Sequence, residues 1–118
     1  MRASVERAAQ VCPVEIAVAV LGGAWKLTIV KHLLEHGVHR THELHRRLPT
    51  ASERTLTRQL RELEVDGIIQ RTVHPQVPPK VEYALTELGT TLRAVVQQMD
   101  HWGATYGTTQ APAAARTT

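Results

Sequence analysis

The sequence predicts a mainly α-helical chain with a small β-hairpin and a long C-terminal helix, and three observations carry that expectation. Apolar residues recur at helical spacing from Pro13 to Gly67, alternate from Ile68 to Leu85, and from Leu88 onward advance by alternating steps of four and three. A helix buries a stripe that repeats every ~3.6 residues and a half-buried strand one that repeats every second residue, so each change of period marks a boundary.

The 118 residues suffice for one small domain with a modest core. Phenylalanine is absent, so Leu, Val, Ile and two Trp must fill the interior. No apolar run approaches the length of a membrane span and no basic, apolar leader is present, which predicts a cytoplasmic protein with no membrane partner. A single cysteine, Cys12, cannot form an internal disulfide, which agrees with a reducing compartment.

Residues 1–11 read as an N-terminal arm. Pro13 suits a first helical turn, Ile16, Ala17, Val20 and Leu21 follow at helical spacing, and Gly22-Gly23 ends that helix. A second helix carries Trp25, Ile29, Val30, Leu33 and Leu34 and stops at Gly37. A third, from about His42 to Leu48, is closed by Pro49. The next helix, about 52–66, opens either with a capping box over Thr50-Ala51-Ser52-Glu53 or with Ser52 itself as N-cap, and ends at Asp66-Gly67. Ile69, Arg71 and Val73 then alternate with Gln70, Thr72 and His74, and Val81, Tyr83 and Leu85 with Glu82 and Ala84, which predicts two strands. Pro75, Pro78 and Pro79 stiffen the loop between them, about 74–81.

From Thr86, a good N-cap, a helix over about 87–107 carries Leu88, Leu92, Val95, Met99, Trp102 and Tyr106. That seam is narrower than a helix needs to lie on its own core and predicts a partner helix, although Val96 widens the face toward intramolecular packing. Residues 108–118 hold nothing to bury and read as a disordered tail.

Charge is concentrated. Residues 39–61 hold six arginines against two acids, Glu43 and Glu53, a net of +4 in a chain that nets +3. At about 100° per residue, Arg54, Arg58 and Arg61 cluster within about 60° of one another, opposite Leu56, Leu60 and Leu63. Guanidiniums suit phosphate oxygens and the guanine O6/N7 edge, so the row reads as a polyanion-binding face; a merely solvated face is the alternative.

Helix, short helix, Arg-faced helix and stiff-looped hairpin is the order of a winged helix-turn-helix domain. Cys12-Pro13-Val14-Glu15, Gly22-Gly23-Ala24-Trp25, Glu43-Leu44, Leu56-Thr57-Arg58-Gln59-Leu60-Arg61-Glu62-Leu63-Glu64, Asp66-Gly67, Val77-Pro78-Pro79-Lys80-Val81-Glu82-Tyr83 and Leu85-Thr86-Glu87-Leu88-Gly89 resemble, in order, the signature of the HxlR family of bacterial, MarR-like transcription regulators. The match covers about residues 12–107 and departs from the family pattern at Thr41 and Ala51, where bulkier apolar residues are usual. The resemblance implies a homodimer joined through the first and last helices, double-stranded DNA as partner, recognition helices in successive major grooves and wings over the flanking minor grooves.

On that reading Ser52, Arg54, Thr55, Thr57, Arg58 and Arg61 contact the groove, Gln76 and Lys80 serve the wing, and Arg40 and Arg46 meet flanking phosphates. Repression is favoured over activation, because occluding a promoter needs no further surface. A winged-helix module that docks only proteins is the alternative. Phosphate loop, nucleophile elbow and paired carboxylates are all missing, which predicts no enzyme and no cofactor.

His36, His39, His42 and His45 recur every third residue, with His32 one turn earlier. They are read as solvated histidines beside the phosphate-binding surface, with a metal-responsive cluster as the alternative. His74 either contacts DNA or is a satisfied strand histidine. Cys12, just before a helix N-terminus where the dipole stabilises a thiolate, is the sensor candidate for an oxidant or electrophile; burial as a small hydrophobe is the alternative.

Overall fold

The computed structural model describes residues 1–110. In chain order it contains α1 (Ala3–Ala9), α2 (Pro13–Leu21), α3 (Lys26–His36), β1 (His39–Arg40), α4 (Thr41–Arg47), α5 (Glu53–Val65), β2 (Ile69–His74), β3 (Lys80–Leu85), α6 (Glu87–Thr90) and α7 (Arg93–Gln110). The sheet is antiparallel in the order β1-β3-β2. Its third strand went unread in the sequence, since two residues show no period. His39 and Arg40 pair with Tyr83 and Glu82 and so tie the start of α4 to the wing.

The core lies where α3, α4 and α5 meet the root of the sheet. Ile29, Val30 and Leu33 from α3, Leu44 and Leu48 from α4 and its C-cap, Leu56, Leu60 and Leu63 from α5, and Ile68, Ile69 and Tyr83 form one buried cluster. Ala51 belongs to it too, so the small residue between α4 and α5 is packed rather than a void. The α2 and α3 axes bend by 81° across the Gly-Gly break. Among the described residues no single helix is long and apolar enough to cross a membrane.

Two helix ends explain how α5 is held. Ser52 is its N-cap, with the Thr55 N–H donating to Ser52 Oγ at 3.1 Å. At the other end Gly67 takes φ +78, a conformation L side chains rarely adopt. The Gly67 N–H then donates to the Glu64 carbonyl at 3.0 Å and the Ile68 N–H to the Leu63 carbonyl at 2.9 Å, which turns the chain into β2.

The structure departs from the sequence reading in three further places. The arm at 1–11 contains a helix, α1, and Arg2 at its root is tied to the C-terminal end of α5: its Nε donates to Asp66 Oδ1 at 2.9 Å and its Nη2 to the Ala19 carbonyl at 3.0 Å. The helix expected over 87–107 is two helices, α6 and α7, separated at Thr91 and Leu92. Thr90 and Thr91 hydroxyls donate to the Glu87 and Leu88 carbonyls at 2.6 and 2.5 Å, and the Thr91 and Leu92 N–H groups take three-residue bonds. Threonine competing for backbone acceptors in this way breaks the α ladder. Finally, α7 runs through Gln110, so residues 108–110 of the expected tail are helical, while the remainder lies outside the described residues.

Candidate nucleic-acid interface

The exposed side of α5 brings three arginines together. Arg54, Thr57, Arg58 and Arg61, with Glu53, line one open depression, and none of the ion pairs among the described residues engages these arginines. The helix presents them because its Leu56, Leu60 and Leu63 stripe is anchored in the core on the opposite side. A 13-residue helix is about 20 Å long, a length that fits along a major groove. Ser52 and Thr55 stand at its N-terminal end with their hydroxyls bonded to each other at 2.9 Å, so both carry a structural task beside any groove contact.

The surface continues on both sides. Arg71 of β2, with Tyr83, borders the C-terminal half of α5 at Thr57, Arg61 and Glu64, and the sequence reading missed it. Alternation puts Arg71 on one face with Ile69 and Val73, of which only Ile69 is buried, because the hairpin leaves the body after its first residue. The register that pairs Arg71 with Tyr83 is fixed by the folded hairpin, so the sequence period held no signal for it. On the other flank Arg40, His42 and His45 line a cleft with Glu53 and the wing residues Pro79 and Val81. Arg46 is exposed on α4. The Arg40 N–H donates to Glu43 Oε1 at 3.1 Å, a bond to the charged form that holds the Glu43 carboxyl below its usual range.

At the wing, Gln76 is exposed, with its backbone N–H on the His74 carbonyl at 2.9 Å. Lys80 is less free than its position suggests: its Nζ lies 3.5 Å from Glu82 Oε1, which also receives His74 Nε2 at 2.5 Å. His74 is therefore a partnered strand histidine.

The histidines expected as one alternative metal cluster do not converge. His39 is buried, with Nδ1 2.9 Å from the Gly37 carbonyl and Nε2 accepting from Arg47 Nε at 2.9 Å, so both ring nitrogens are in use. His42 and His45 face the wing cleft, whereas His36 stands beside His32.

The apolar seam also divides. Leu92 packs against the core and Leu88 joins Pro13, Ile16, Ala17, Val20 and Leu21 along a groove between α2 and the α6–α7 corner. Val95, Met99, Trp102 and Tyr106 remain exposed on α7, with the Trp102 and Tyr106 rings stacked 5.3 Å apart. Val11, Val14 and Val18 add further exposed apolar residues on and just before α2. Cys12 is the exposed N-cap of α2; its carbonyl accepts from Glu15 and Ile16, and its side chain makes no capping bond.

A basic helix on a helical core, flanked by a two-stranded wing, defines a transcriptional regulator of the helix-turn-helix type. The profile of the HxlR-like helix-turn-helix family matches residues 20–111, and the chain belongs to that family. It is 52% identical over 92 residues to YybR of Bacillus subtilis (strain 168), an uncharacterized HTH-type transcriptional regulator, covering 78% of this chain and 73% of that one. Among solved structures it is similar to the redox regulator HypR in its oxidized form, at 51% identity and a TM-score of 0.74, covering 80% of this chain and 96% of that one. The reduced form of the transcriptional regulator YodB from B. subtilis is 41% identical with a TM-score of 0.65, over 77% and 89% of the two chains. These relatives are transcriptional regulators, a non-enzymatic class.

Proposed function

We propose that the chain acts as a homodimer that binds a specific operator and represses transcription there, and that oxidation at Cys12 releases it. The arginine face of α5 is the observation that carries this reading: three guanidiniums with no internal partner among the described residues, backed by a rigid core, offer both phosphate contacts and base-edge readout. Arg71 and Arg40 extend the same surface, and Gln76 and Lys80 stand where a wing would follow the backbone into the neighbouring groove. Dimerisation is supported by Val95, Met99, Trp102 and Tyr106, an apolar row on α7 that the monomer leaves in water.

The Cys12 signal rests on the thiol's exposure at the head of α2 and on the similarity to HypR, described as a redox regulator. Two Cys12 thiols, one per protomer, would lose two protons and two electrons to a two-electron oxidant and form one intersubunit disulfide. Moving α2 would shift the spacing of the two recognition helices, which must match the groove repeat.

Capture of genomic fragments on the reduced protein identifies the operator, and a salt titration then tests the interface. Counterion release requires the logarithm of affinity to fall linearly and steeply with the logarithm of salt concentration. Salt-insensitive association, or equal affinity for operator and scrambled DNA, would contradict the proposal.

A further inference from the structure

On α3, away from the basic face, His32, Glu35 and His36 place one ligand atom each within 4.8 Å of one another. The cause is helical geometry: residues three and four apart share a face, so both imidazoles and the carboxylate point to one spot. The two rings stand 6.1 Å apart and nearly parallel, at 24°, and His36 Nε2 lies 3.6 Å from Glu35 Oε2. The Nδ1 atom of His32 is shielded from solvent and has no hydrogen-bond partner among the described residues. A shielded ring nitrogen left unpaired calls for an explanation, and a bound cation is one.

We propose that His32, Glu35 and His36 form a binding site for a divalent cation of the zinc class. Two imidazoles and one carboxylate suit zinc, nickel or cobalt and are too nitrogen-rich for calcium or magnesium. Three protein ligands leave a fourth position for water. Tetrahedral ligands about 2.1 Å from an ion lie about 3.4 Å apart, and the three ligand atoms here lie within 4.8 Å of one another, two of them on the exposed side chains of Glu35 and His36. Glu35 offsets the charge of nearby Arg47, which acts on His32. The set differs from the four histidines at every third residue, since it excludes His39, whose nitrogens are taken.

The site stands at a joint. The His36 ring lies 6.0 Å from that of His39, the acceptor for Arg47 of α4. An ion there would stiffen the end of α3 beside the bond that seats the first helix of the helix-turn-helix.

The test is calorimetric titration of the full chain with Zn²⁺, in the wild type and in a Cys12→Ser background that removes thiolate binding. One ion per chain is expected in both. His36→Gln should weaken it by at least about tenfold, since loss of even an outer-shell partner costs about 10–100-fold, and Glu35→Gln should weaken it by less. His101→Gln, on exposed α7, should leave affinity unchanged. Both ligand positions are exposed, so circular dichroism should show wild-type helicity in each variant. Absence of binding to the Cys12→Ser chain, or the same affinity in His36→Gln and Glu35→Gln as in wild type, would overturn the proposal. Neither outcome bears on operator binding, which is measured without metal.

Discussion

Arg58 offers the sharpest test of the α5 surface. The side chain is exposed at the middle of the arginine row and joins none of the ion pairs among the described residues, so Arg58→Ala removes a guanidinium without disturbing the core. Alanine is also a better helix former, so stability should not fall. A bidentate contact to a base edge is worth about 1–3 kcal/mol. A dimer loses two such contacts, about 2–6 kcal/mol, which at ~1.4 kcal/mol per decade is a loss of between about thirtyfold and about 10⁴-fold. Fluorescence anisotropy on operator and scrambled duplexes at several salt concentrations separates the two possible roles. A base-reading Arg58 loses affinity mainly on the operator and leaves the salt slope nearly unchanged. A phosphate-binding Arg58 weakens both duplexes alike and lowers the slope by about 0.9 per phosphate, about 1.8 per dimer. Undiminished binding to both duplexes would refute the placement of α5 in the groove.

Other expectations follow from the same geometry. Met99→Asp, at an exposed position on α7, should leave the protomer folded but yield monomers in sedimentation, because a buried unpaired carboxylate costs several kcal/mol; a monomeric wild type or a dimeric variant would rule out this seam. Oxidation should lower operator affinity in wild type and not in Cys12→Ser, as read by the same anisotropy assay; equal binding before and after oxidation would place the signal elsewhere. Gly89→Ala should lower the melting temperature, since its Cβ would lie 2.2 Å from the Ile68 carbonyl and 3.1 Å from Leu85 Cδ2, an overpacking worth about 1–3 kcal/mol; an unchanged melting temperature would contradict this close approach of α6 to the root of the sheet.

Local chemistry made much of this molecule legible from its residues. The opposed Leu and Arg rows of α5, the Ser52 cap that is one of two readings of its start, the Gly67 stop and the change to alternating spacing after it each involve neighbours a few residues apart. Such features follow from helix and strand periods, which the chain carries in its own order. The helical period puts Arg54, Arg58 and Arg61 on one face, and the structure presents them together, beside Thr57, on the side of α5 away from the core.

What only tertiary structure decided involves residues distant in sequence. Arg2 meets Asp66, and Lys26 is buried with its Nζ 3.2 Å from Glu62 Oε1. His39 becomes a packed hydrogen-bonding residue because Gly37 and Arg47 close around it. Leu92 turns inward while Met99 and Trp102 stay out, because threonine hydroxyls break the helix at the corner and so set the direction in which α7 leaves. Arg71 faces α5 because the hairpin departs from the body after Ile69, a boundary that periodicity does not contain. Sequence period determines which face of an element is apolar. Which part of that face meets another element, and which acid meets which base, depends on where the elements end and how they cross.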